Sequence, residues 1–201
     1  MHRTFADYFT ASWLSKNFGS NRRVLERILF DSSYGIVKDV FDRILASDCP
    51  LHCAVLNWDT EAVETVLKGG PDVNARDRGG RTALHLIAAQ DLDDDECEEI
   101  TSSLLRYGAS VYAEDNVLHF TPMSYAIKAE NWLVVERLLE QPYNKNDLEL
   151  IKKRVDDECY ISKIIVHTAR KNYSLLLHFL ASICANTKWA PLVDAAVARN
   201  W

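Results

Sequence analysis

The sequence predicts an all-α chain: a helical-repeat solenoid with short β-hairpin loops, preceded by a small helical segment. Three observations carry this. A four-residue motif recurs with its first residues at positions 49 and 82, 33 apart, and a period of that size sets the whole architecture. Each copy opens two amphipathic runs joined by a short turn. Each second run stops at a glycine, after which the chain reads as extended.

In chain order, apolar residues at helical spacing come first: Phe5, Phe9, Trp13, Leu14; then Val24, Ile28, Leu29; then Ile36, Val37, Val40, Phe41, Ile44, Leu45. They predict three helices, broken near Gly19 and Tyr34-Gly35, in a segment spanning 1–47. Trp13, and Trp132 further on, read as packing residues of such helices.

The repeats are expected over 48–201. The first, about 48–80, opens with Cys49-Pro-Leu-His52, and the second, about 81–119, with Thr82-Ala-Leu-His85. Small residues follow (Ala54; Ala88 and Ala89) and let two antiparallel helices approach. The second helices are predicted over 61–68 and 98–106, with Gly70-Pro-Asp-Val-Asn-Ala75 and Gly108-Ala-Ser-Val-Tyr-Ala113 beyond them. Thr82 suits a helix N-cap, Pro50 a first helical position, and Gly70 and Gly108 a helix end.

A third repeat, about 120–152, opens at Thr121-Pro-Met-Ser124, 39 positions after Thr82, with a second helix from Trp132 to Glu140. Five of the six extra residues fall in the acidic stretch Asp91 to Glu99, and the sixth lengthens the hairpin near Asn116 to Phe120. A degenerate fourth copy is expected over 153–188, and a fifth begins at Ala190-Pro-Leu-Val193, over 189–201. The sequence thus reads as stopping in mid-repeat, with Trp201 the counterpart of Trp132.

These residues closely resemble the ankyrin repeat, whose Thr-Pro-Leu-His, paired alanines, leucine-rich second helix and Gly-Ala-Asp-Val-Asn are matched best across Asp48 to Ala89. The run Met1 to Phe9 with Trp13-Leu14 resembles the helical tail following the nucleotide-binding part of NACHT-type proteins, often joined to ankyrin repeats in arthropods. That second likeness covers about 45 residues, and it brings no GxxxxGK[ST] phosphate loop with it.

Bulk properties narrow the function. With 201 residues, 48% of them hydrophobic, the chain can bury a substantial core. The net charge is −6, with 7 Lys and Arg against 6 Asp and Glu over 1–48 and the excess of acid beyond. An acidic surface repels phosphates, so no nucleic acid is expected as a partner. No apolar run approaches the roughly 18 residues that span a bilayer, so no membrane is expected either. Five cysteines (Cys49, Cys53, Cys97, Cys159, Cys184) form no CxxC pair, and their odd number points to a reducing, cytoplasmic setting.

No residue set calls for an enzyme or a cofactor. Asp91, Asp93 and Asp95 have the spacing of a calcium loop, but Glu96 replaces the sharp-turn glycine and Ser102 the closing glutamate. Cys53 lies beside His52, yet neighbours on one helix point in different directions. Cys159, His167 and His178 fit no zinc spacing. Non-glycine residues Trp58, Glu130 and Arg199 stand where a repeat turns left-handed, at a cost on the order of 1 kcal/mol each.

The resemblance implies a scaffold or adaptor that binds another protein through the concave face made by hairpin tips and first helices. Carried over residue by residue, the candidate contacts are Leu56, Asn57, Arg76, Arg78, Arg81, Gln90, Glu114, Asn116, Val117, His119, Phe120, Lys128 and Ala129. The tip at Arg76, Arg78 and Arg81, against Asp77, reads as basic and the next, with Glu114 and Asp115, as acidic, which suits a partner of split charge. The alternative implied by the N-terminal likeness is the sensor or regulatory part of a NACHT-type nucleotide-dependent signalling protein.

Overall fold

The structure, a computed structural model, describes residues 3–90, 95–141, 164–166, 168, 170–171 and 173–199. Among these the chain is helical with no strand, and it forms two compact units, Met1–Asn131 and Trp132–Trp201. Asp91, Asp93, Cys159, His167 and Trp201 lie outside the described residues.

The first unit opens with α1 (Arg3–Asn17), α2 (Arg22–Phe30) and α3 (Gly35–Ala46), separated by single 3-10 turns at Phe18–Ser20 and Ser32–Tyr34. The breaks fall where Gly19 and Tyr34-Gly35 predict them. Leu25, Ile28 and Leu29 of α2, and Val37, Phe41 and Leu45 of α3, recur every three or four residues and are buried. In α1 the inward stripe is thin: Ala11 and Leu14 are buried, while Trp13 is 55% exposed, so the packing role expected for it is corrected. Trp132, by contrast, is 6% exposed.

The repeats follow as helix pairs. In the first, α4 (Pro50–Leu56) and α5 (Thr60–Lys68) pack together. Pro50 sits in the first turn of α4, and the Asp59 carboxylate accepts from Ala62 N at 2.8 Å to start α5. In the second, α6 (Ala83–Ala88) is buried along its whole length, and α7 (Asp95–Arg106) buries Cys97, Ile100, Thr101, Ser103 and Leu104 on one stripe. In the third, α8 (Pro122–Ala129) begins with Thr121 accepting from Ser124 N at 3.2 Å.

The turns after α4 and α8 are left-handed at Trp58 (φ 57°) and Glu130 (φ 60°), as their positions imply, and His119 joins them at φ 54°. Arg199 instead lies within the final helix. Asn131 helps to hold the third turn, donating through Nδ2 to Gln90 O at 2.9 Å and Ile87 O at 3.3 Å.

The second unit holds α9 (Trp132–Leu139), α10 (Ser174–Cys184) and α11 (Ala190–Arg199). The Glu136 carboxylate accepts from Leu175 N at 2.9 Å and Leu176 N at 2.6 Å, supplying the first-turn amides of α10 with an anion where the helix dipole favours one. Leu176, Leu177, Leu180 and Cys184 bury the inner face of α10, and Val193 and Ala196 are buried on α11.

Candidate partner-binding surface

Two loops that join successive repeats carry most of the predicted contacts, and each is built around a buried aspartate. In the first, Asp77 Oδ1 accepts from Gly79 N (2.8 Å) and Arg81 N (2.9 Å), while Asp77 N donates to Arg81 O (2.9 Å). In the second, Asp115 accepts from Val117 N, Leu118 N and Phe120 N at 2.8–3.2 Å, and Asp115 N donates to Phe120 O (3.1 Å). The side chain thus takes amides that a strand ladder would otherwise pair. Tight turns replace the extended β-hairpins that the sequence predicts.

The loops stack on one another through Asn116 N, which donates to Gly79 O at 2.8 Å. Gly80 has φ +73°, and a Cβ there would meet the Asn116 side chain at 2.5 Å. Only glycine permits both the left-handed backbone and the close approach.

Arg81 is wholly buried, which corrects its placement among solvent-facing contacts. Its Nε donates to Asp77 Oδ2 at 2.9 Å, its Nη2 pairs with the same oxygen at 2.8 Å, and its Nη1 pairs with Asp42 of α3. Lys38 Nζ lies 3.2 Å from the other Asp42 oxygen. Burial alone would raise Asp42, but Lys38 and Arg81 together outweigh it and hold the carboxyl below its ordinary range. Burial works the same way against the Arg81 cation, and Asp42 and Asp77 hold it charged. The physical reason for the correction is that an unpaired Asp42 and Asp77 could not be buried.

The neighbouring core uses neutral donors. Thr82 N donates to His85 Nδ1 at 3.1 Å, so Nδ1 is the acceptor and Nε2 carries the proton given to Phe120 O at 3.1 Å. Burial drives the His85 pKa down to about 4, keeping the ring neutral. His52 Nε2 likewise donates to Arg81 O at 2.9 Å. Tyr125 donates its hydroxyl to Asp115 at 2.7 Å, and burial followed by the Asp115 charge pushes its pKa well up. The histidines and Asp115 therefore hold loops in place, one to the next.

The ends of the first helices, predicted to face a partner, are met by the chain's own N-terminal segment. Arg43 of α3 donates to Asn57 Oδ1 (2.8 Å) and Leu56 O (3.2 Å), and Lys38 to Gln90 Oε1 (3.2 Å). Lys128 pairs with Glu26 of α2, the Phe30 and Tyr125 rings meet edge to face at 5.5 Å, and Arg22 lies over the Phe120 ring at 5.5 Å. Arg78 N donates to Leu45 O at 3.2 Å. Sequence reasoning has no signal for this docking, because its partners are single residues scattered over helices that look independently amphipathic. What stays open between α2, α3, α6 and α8 is a cleft of ≈ 430 Å³, lined by Phe30, Lys38, Gln90, Lys128 and Glu130 among others.

The predicted contacts therefore separate. Leu56, Arg81, Val117 and Ala129 are buried, apolar packing claiming all but Arg81. Asn57, Gln90, Phe120 and Lys128 are engaged by α2 and α3. Arg76, Arg78, Glu114, Asn116 and His119 are exposed. Arg76 Nη1 bridges the two loops by donating to Gly80 O (2.9 Å) and Glu114 O (2.6 Å), and Arg78 pairs with Asp48 at 2.6 Å in solvent. With Arg81, Asp77 and Asp115 buried, the contrast of charge between the tips rests on Arg76 and Arg78 against Glu114.

Comparison with known proteins agrees with this geometry. Residues 51–149, just under half of the chain, match the family model described as ankyrin repeats (3 copies), so this stretch carries ankyrin repeats. Such repeats are in general protein–protein interaction modules and typically non-catalytic. A curated relative, the nuclear factor NF-kappa-B p105 subunit of Gallus gallus, is 45% identical over 58 residues, 29% of this chain. The aligned part spans only 5% of that relative's length. No described helix is long and apolar enough to cross a membrane.

Proposed function

We propose that this chain is an interaction scaffold or adaptor that performs no chemistry of its own and binds a protein partner through the exposed rim of its repeat loops. The observation that carries the reading is the rim itself. Arg78, Glu114, Asn116 and His119 project from loops whose backbones are fixed by buried aspartates, a rigid mount for a small set of polar contacts. The first-helix ends of the concave face, engaged by α2 and α3, serve as support rather than as the first point of contact. α10 is assigned to the degenerate copy over 153–188 and α11 to the partial one over 189–201. The cytoplasm is its proposed compartment.

The test uses a partner recovered by cross-linking to the full chain in its native cell and then purified. Arg78→Glu with Glu114→Lys reverses the rim charges and should weaken binding at least tenfold while the thermal melt stays in place. Binding unaffected by the reversal would move the site off the rim. The second reading, a regulatory part of a NACHT-type signalling protein, is favoured by the aromatic run at Phe5, Tyr8, Phe9 and Trp13. Sequencing the native transcript decides it: a reading frame continuing upstream into a GxxxxGK[ST] loop supports it, and a stop codon before Met1 removes it.

A further inference from the structure

α1 packs on α3 with Ala11 and Leu14 buried and Asp7 half-buried, and its opposite face carries Phe5, Tyr8, Phe9 and Trp13, at 59%, 52%, 64% and 55% exposure. At 100° per residue these four share one stripe. Taking about 200 Å² for a whole aromatic residue, they expose roughly 450 Å². A patch of about that size is in the range of the largest apolar patch on a typical monomer, which is often a functional surface.

We propose that this face is a homodimer interface: two copies pair α1 antiparallel across a twofold axis, Phe9 against Phe9 and Phe5 against Trp13. Three features select a second copy as the occupant. The first is spacing. Phe5, Phe9 and Trp13 are four residues apart with Phe9 in the middle, so an antiparallel helix pair centred on Phe9 meets itself in register, as a twofold interface demands.

The second is area. Two such faces remove roughly 900 Å² of aromatic surface, and the flanking Ala6, Thr10 and Ser12 bring the total near about 1,200 Å², the lower end for a specific interface. The third is charge. α1 carries Arg3, Asp7 and Lys16, and none of them lies on the aromatic stripe between Phe5 and Trp13, so the centre of the pairing holds no charge. A lipid surface fits less well, because a helix lying on a membrane wants a row of lysines and arginines beside its apolar face and the whole chain is at −6. This surface lies apart from the repeat loops, so the outcome is independent of the rim.

Sedimentation velocity on the full chain across about 1 to 200 µM decides the matter. The weight-average mass should rise with concentration from 22.9 kDa toward twice that value. Phe9→Arg should weaken association at least tenfold without altering the circular-dichroism melt, since the side chain is already in solvent. Position gives a second, sharper readout. Under mild oxidation Phe9→Cys should cross-link to itself. Trp13→Cys alone should not, and an equimolar mixture of Phe5→Cys and Trp13→Cys should form the mixed pair. A monomer at every concentration, association indifferent to Phe9→Arg, or co-flotation of a monomeric chain with phosphatidylcholine vesicles would each overturn the proposal.

Discussion

The two loops at Asp77 and Asp115 share a plan and differ in what completes it. Each sets a buried carboxylate to collect the amides of its own turn. Asp77 then faces a guanidinium, Arg81, which reaches across to Asp42 of the N-terminal segment, whereas Asp115 faces a neutral hydroxyl, Tyr125. The first loop therefore fastens α3 to the repeats with buried charge, and the second fastens the third repeat to the second with hydrogen bonds alone. Repeat position dictates the turn, and the residue opposite decides how much depends on it.

The largest effect should come from the charged side of this pair. Arg81→Leu leaves Asp42 and Asp77 buried without their cation and should cost about 3–5 kcal/mol in chemical denaturation. Adding Asp42→Leu should recover part of that loss, because Asp77 keeps the amides of Gly79 and Arg81 and only Asp42 is left with nothing but Lys38. A loss under about 1 kcal/mol from Arg81→Leu would erase the distinction between the loops.

Acid should act next. The folded His85 pKa of about 4 lies below its ordinary 6.5, so the folded chain binds fewer protons there. Its contribution is complete above pH 6.5 and is lost as pH falls toward 4, by about 1.4 kcal/mol per unit. Burial depresses His52 in the same direction, and Asp42, held low chiefly by Lys38 and Arg81 against its burial, adds to the loss below pH 4. Stability measured from pH 7 to 4.5 should fall steadily, and His85→Gln should flatten the slope.

Tyr125→Phe removes one hydrogen bond to a carboxylate that retains three amides, and should cost roughly 1–2 kcal/mol in urea unfolding. Arg78→Ala breaks only the solvent pair with Asp48 and should leave the melt where it is. Equal losses from Arg81→Leu and Tyr125→Phe would break the comparison, and a ratio near three would sharpen it.

The helical periods, the glycine ends, the capping Thr82 and the left-handed turns at Trp58 and Glu130 were legible because each is a local event at a position that the repeat spacing fixes. What escaped was contact at long range. Arg81 reads as exposed because it sits at a hairpin, and its burial depends on Asp42, 39 positions earlier in a segment with no repeat pattern. Gln90, Asn57 and Lys128 occupy the face that a partner would meet, and nothing in their neighbourhoods signals that Lys38, Arg43 and Glu26 arrive first. Trp13 failed for the opposite reason: an apolar residue in a helical pattern reads as core until the helix proves too thinly packed to have two buried faces. His119 is left-handed in a loop one residue longer than its predecessor, where the repeat offers no template.

Whether the N-terminal helices are a structural part of the repeat array is tested most directly by native-state hydrogen exchange on the full chain, resolved to individual amides. If Arg81 and Asp42 join the two, the amides of α3 and α6 should exchange together at the slowest rate in the first unit, and Arg81→Leu should release α3 first. Exchange of α3 at a rate far faster than α6 in the native chain, unchanged by Arg81→Leu, would contradict it.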